Sequence, residues 1–305
     1  MITDYSQNPA VLLVRLGEIE EAQRLSQTEL SKLEGHSENA RIWTFRFVKA
    51  DVEAFHGSVE RALAYLESFP APNDIEVGAR LKMHRGGYEG SLGRYVRAHQ
   101  LLLEAEALAQ NATMLELLGE IRLSQALMFF LQKDYPASHR LYSDVLRLAE
   151  HADGWYLRGH GLWGIGKNHM IQEQYEEAVH WLEQSLVIFK EARARLSIAL
   201  VWSELGVCRL GMGQDERALV LFRKAEVANQ EAGFVHNYQV VLANIGNVYL
   251  QRRDYLTALS YYQRAVSLAR EIKDPVSVKK WTYNINLAYA RIRAQVDEEW
   301  PRPAA

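Results

Sequence analysis

The chain has 305 residues, 48% of them apolar and 24% charged, which is enough apolar material for a sizeable core and excludes global disorder. Lys and Arg number 35 against 38 Asp and Glu, a net charge of −3 that argues against nucleic acid as the main partner. The one cysteine, Cys208, excludes an intramolecular disulfide framework and a multi-cysteine metal site.

The first helix is expected to be short. Asn8-Pro9 is a good helix start, and about eight residues follow before Gly17. From there an alanine recurs three residues after a short turn, as Ala22, Ala62, Ala98, Ala178, Ala218 and Ala258, with Ser138 filling the gap. The spacings are 40, 36, 40, 40, 40 and 40. Twelve residues before each anchor lies a second small residue: Ala10, Ala50, Gly86, Ala126, Gly166, Gly206 and Gly246. Four residues after it comes a large residue, as in Leu66, Leu102, Tyr142, Leu182, Phe222 and Tyr262. Small residues at two fixed points let antiparallel helices approach closely, and the large ones fill the grooves. Gly17, Gly57, Gly93 and Gly213 share one position that suits a left-handed helix end. Pro70-Ala-Pro72-Asn-Asp74 accounts for the single spacing of 36 by stopping a second helix early.

These positions predict an all-α chain of about fifteen helices in one domain, 1–295. The repeats fall at about 3–36, 38–70, 74–110, 113–151, 153–192, 194–233 and 234–273. A closing helix over 276–294 and a disordered tail over 296–305 complete it. The best-formed copies are Trp202-Ser-Glu-Leu-Gly206 through Ala225 and Leu242-Ala-Asn-Ile-Gly246-Asn-Val-Tyr249 through Ala265. Their order of large and small residues resembles the tetratricopeptide repeat. The resemblance implies a right-handed α-solenoid superhelix of about seven repeats plus a C-terminal capping helix. The family's ordinary period is 34 residues, so a period of 40 implies helices about a turn longer. The spacing and phrases such as Leu242–Tyr249 are similar to bacterial arrays that precede caspase-like (CHAT) protease domains, and to sensor arms of signalling ATPases.

Most signs of chemistry fade on inspection. Gly161-Leu-Trp-Gly-Ile-Gly166-Lys167 has the spacing of a phosphate-binding loop, but Asn168 stands where Ser or Thr should hold magnesium, and no strand precedes it. The ten histidines lack ligand spacing, and His99 and His139 share one repeat position, which points to packing or surface. Cys208 reads as an inert, half-buried thiol. Arg80, Lys82, Arg85, Arg94 and Arg97, opposed only by Glu89, read as a solvated face. Trp155, Trp163, Trp181 and Trp202 suit core filling between long helices, with Trp163 in a groove as the alternative.

In the resembled family the first helices line a concave face. With the small residue as position eight, the inward positions are two, five, six, nine, twelve and thirteen. They place Trp163, Lys167, Glu204, Asn244, Asn247, Asn284 and Arg291 as candidate peptide-binding or protein-binding residues. Asn244 and Asn284 hold one position in adjacent units, and an amide can pair with any peptide backbone. The other reading has these asparagines bonding between neighbouring helices. The expectation is a non-enzymatic interaction scaffold, in the manner of a sensor or regulatory module, with a protein or peptide partner. No nucleic acid, membrane, metal or cofactor is implied, and the chain is expected to be cytoplasmic, a monomer or weak homodimer. A small-peptide receptor of quorum-sensing type is the alternative, although its relatives carry an extra N-terminal domain and the repeats here begin near residue 8. An enzyme is a remote third.

Overall fold

A computed structural model describes residues 5–36, 39–56, 58–111, 114–151 and 154–299. The described residues form fifteen α-helices and one 3₁₀ turn, Tyr5–Gln7, with no strand. The chain divides into two units, Met1–Ser197 and Ile198–Ala305. The first holds α1 (Pro9–Leu16), α2 (Ile19–Lys32), α3 (Ala40–Phe55), α4 (Val59–Glu67) and α5 (Ile75–Ser91). It continues with α6 (Tyr95–Asn111), α7 (Leu115–Leu131), α8 (Tyr135–Ala149), α9 (Trp155–Ile171) and α10 (Tyr175–Glu191). The second begins within α11 (Arg195–Gly211) and continues with α12 (Asp215–Glu231), α13 (Val235–Gln251), α14 (Tyr255–Glu271) and α15 (Pro275–Glu299). Consecutive helices pack as pairs, and each unit is an α-solenoid.

Several helices begin where a side chain accepts from a free backbone N–H, and backbone N–H groups close their ends. Asn8 caps α1 by accepting from the Ala10 N–H at 2.9 Å, and Asp74 caps α5 from the Val77 N–H at 2.9 Å. Asp134 and Asp254 do the same for α8 and α14. Among the described residues a left-handed residue recurs at the turns inside a pair: Gly17, Gly93, Lys133, Glu173, Gly213 and Arg253. Glycine was the visible signal, yet the position keeps a positive φ where Lys, Glu or Arg occupies it. Gly57, expected at the equivalent place, lies outside the described residues.

Packing follows the small–large pattern. A Cβ added to Gly206 would lie 2.5 Å from the Phe222 ring, and one on Gly246 would lie 2.7 Å from Tyr262. The glycines at the repeated small position, Gly86, Gly166, Gly206 and Gly246, thus face the large residue four after the anchor of the partner helix. Phe222, Tyr262 and the anchors Ala218 and Ala258 are fully buried. Ser138, the one non-alanine anchor, is also fully buried, and its Oγ accepts from Asn168 Nδ2 at 3.1 Å. The phosphate-loop look-alike containing Asn168 lies wholly inside α9, and Gly166 there packs on Leu182.

One boundary falls early as expected, and one differs. α4 has nine residues and ends at Glu67, where most of the later helices have seventeen. The missing turns and Pro70–Asp74 leave a cleft of about 1180 Å³ lined by Leu25, Leu33, Trp43, Phe45, Pro70 and Pro72. α15 continues to Glu299, so residues 296–299, expected in a disordered tail, are helical. The rest of that tail lies outside the described residues.

Candidate functional site

In the first unit, one face of the first helices carries a buried network that reaches the N-terminus. On α5, Glu76, Arg80, His84 and Tyr88 are four residues apart and share a face. On α7 the same register gives Glu116 and Glu120, and on α9 Tyr156 and His160. Arg80, only 4% exposed, donates to Glu120 at 3.1 Å and to Glu76 at 3.0 Å. Arg15, from α1, bonds Glu120 as well, lies 3.3 Å from Glu116, and sits 4.5 Å over the Tyr156 ring. Arg80 stacks 3.8 Å over Tyr5. Asp51 of α3 accepts from Tyr88 at 2.6 Å and pairs with His84 Nδ1 at 3.1 Å. The 3₁₀ turn and α1 therefore lie against the face of α5, α7 and α9, held by two guanidiniums that share one carboxylate.

Electrostatics accounts for this arrangement. Burial disfavours the Arg15 and Arg80 charges, but Glu120 and the neighbouring tyrosines and acids outweigh it and hold both above the ordinary arginine pKa. Burial, with little compensation, pushes Tyr156 up to about 12 and His160 down to about 4, the latter aided by Arg15. At neutral pH both are uncharged and serve as packing surface.

The basic stretch is only in part a solvated face: Arg94, paired with Glu89, and Arg97 are exposed, whereas Arg80 is buried and Lys82 and Arg85 are half-buried. These three find counter-charges on other helices: Glu104 for Lys82 at 2.6 Å, Glu67 for Arg85 at 2.6 Å, and Glu120 for Arg80. The missed signal was the register itself. Arg80 and Glu120 stand at inward position two, the position that gave His160 and Lys280.

The expected site residues divide between the units. In the first, Lys167 Nζ sits between the rings of Phe130 at 4.6 Å and Trp163 at 4.7 Å, so its charge is engaged by two π faces. His160 meets Trp163 edge-on at 5.8 Å. Trp181 and Trp202 pack against buried clusters of their own units, and Trp155 against Phe189.

In the second unit, Asn247 Oδ1 accepts from the Tyr262 hydroxyl at 2.7 Å, which is the interhelical role foreseen as the alternative. Asn244 Nδ2 reaches Ser203 Oγ at 3.4 Å, a long contact that leaves its Oδ1 available among the described residues. Asn284 is half-buried on α15, and Arg291 is exposed. Helices α13 and α15 are neighbours, because Trp281 Nε1 donates to Gln239 at 3.3 Å. Glu204 is half-buried on α11. It helps burial push the fully buried Cys208 thiol up to about 12, so the cysteine is more enclosed than expected and stays protonated.

The tetratricopeptide repeat family profile matches residues 240–272, which lie in α13 and α14, the last helix pair before α15. The human SH3 domain and tetratricopeptide repeat-containing protein 2 is 30% identical over 105 residues, which is 34% of this chain. The match spans 8% of that protein's length. Among solved structures, a Rap protein complexed with competence and sporulation factor superposes with a TM-score of 0.71 at 18% identity, covering 94% of this chain and 85% of that one. A signal transduction ATPase with numerous domains and a tetratricopeptide repeat sensor, from Pyrococcus horikoshii, gives 0.64 at 13% identity over 98% of this chain and 49% of its own. At these identities the likeness is one of fold. The repeat profile thus falls on one helix pair, and the other pairs keep the same small and large positions along the sequence, so what the chain shares with these proteins over its length is the tetratricopeptide-repeat fold.

Proposed function

We propose that the chain is a non-enzymatic scaffold that binds an extended segment of a partner protein along α13 and α15. The observation that carries this reading is the pair Asn244 and Asn284, amides at one register position of successive first helices, both with unused hydrogen-bonding capacity among the described residues. In the first unit the corresponding face is taken by Tyr5 and Arg15 of the same chain, which directs a partner to the second. Asn247 contributes its Nδ2 donors while its oxygen holds Tyr262. The role would be that of a sensor or regulatory module in the cytoplasm, and the likeness to the ATPase sensor supports it. A second reading, a receptor for a small free peptide, is favoured by the likeness to the Rap protein that was solved with competence and sporulation factor.

The test is titration calorimetry with the partner recovered by pull-down. Each amide contact contributes about 0.5–1.5 kcal/mol, so Asn244→Ala with Asn284→Ala weakens binding roughly five- to a hundredfold while circular dichroism stays unchanged. Unchanged affinity in a folded double variant moves the site off this face. Recovery of a short peptide rather than a protein selects the second reading.

A further inference from the structure

We infer that the cleft at the C-terminal end of α13 recognises an acidic side chain of the bound segment, flanked by an apolar one. The inference deepens the proposed function and rests on it. The cleft holds about 570 Å³ and is lined by Leu250, Arg253, Tyr255, Leu287, Arg291 and Ala294 among others. No Asp or Glu among the described residues lines it. Three other arginines of this unit pair with carboxylates: Arg252 with Asp215 and Glu216, and Arg223 and Arg264 with Glu226. Arg253 and Arg291 have no side-chain partner among the described residues, and both are exposed. Two unpaired guanidiniums on one cleft favour an anion, a planar carboxylate matches the guanidinium fork, and Leu250 and Leu287 give it an apolar neighbour.

The helix sets the spacing of the ligand. Asn284, Leu287 and Arg291 are at i, i+3 and i+7 on α15 and share a face. Asn284 and Arg291 are thus about 10 Å apart along the axis, at a rise of ~1.5 Å per residue. An extended peptide covers that distance in about three residues. A backbone unit held by Asn284 is therefore followed, about three residues on, by the acidic residue, with an apolar side chain over Leu287 between them.

The test uses the full chain and an array of twelve-residue peptides, acetylated and amidated, with Glu or Gln at a central position and Leu or Ser two residues before it. The chain should retain Glu–Leu peptides roughly five- to twentyfold more strongly than their Gln counterparts, and added salt should narrow the gap. Arg253→Asn with Arg291→Gln should bring that ratio to one; asparagine is chosen because it tolerates the left-handed backbone at φ 60. Asn244→Ala with Asn284→Ala should lower binding of all peptides and keep the ratio. A Glu preference that survives the arginine changes, or no preference in a chain that binds peptides, overturns the acidic subsite alone. Peptides with a free C-terminal carboxylate outcompeting the amidated Glu set would replace the side chain by a chain end. No binding to any peptide overturns both this inference and the proposed function.

Discussion

Glu120 accepts from two buried guanidiniums at once, those of Arg15 and Arg80. Removing its charge leaves both without their main partner in a site that water reaches poorly. Glu120→Gln should therefore lower stability by about 3–5 kcal/mol, read as the midpoint of urea unfolding. A loss near zero would mean that water solvates the network. His160 gives a second prediction at this scale. Its folded pKa, about 4, lies below the ordinary 6.5, so the unfolded chain takes up a proton first as the pH falls. Stability contributed by the neutral ring is full above pH 6.5 and is lost as pH drops towards 4, by on the order of 1–3 kcal/mol. His160→Phe should flatten that part of the urea-midpoint profile between pH 7 and 4.5. An unchanged slope would assign it to other groups.

The elements were legible because the packing repeats. A glycine or alanine every 40 residues faces a large residue every 40, so the order of residues alone sets the register of each helix pair. Gly206 against Phe222 is the closest check on that register. Gly206→Trp and Ala218→Trp should each cost at least ~1–3 kcal/mol in thermal melts, since neither site has room to repack. Unaffected melting at both would place the register wrongly. The turns were less legible. Glycine marked Gly93 and Gly213, but Lys133, Glu173 and Arg253 hold the same left-handed conformation because the helix pair on either side over-determines it. The end of α15 was misplaced for a related reason. Asp297-Glu-Glu reads as tail by composition, but charged residues propagate an exposed helix readily.

At the scale of the whole molecule, the repeat and the helical architecture followed from the sequence, and the allocation of its inward faces did not. Arg15 meets Glu116 and Glu120, more than one hundred residues away, and no local pattern predicts such a pair. The asparagines showed the opposite case: position alone singled them out, and only the structure separated Asn247, which holds Tyr262, from Asn244 and Asn284. In the proposed reading the two units have different tasks: the inward charges of the first hold its own N-terminal segment, and the amides and arginines of the second serve a partner. Hydrogen exchange of the full chain, with and without its tightest array peptide at saturation, tests this most directly. The predicted result is slowed exchange in α13 and α15 with α1, α5 and α7 unchanged. Faster exchange in α1 together with protection of α5 and α7 would mean that the peptide displaces Arg15, and would contradict this division of tasks.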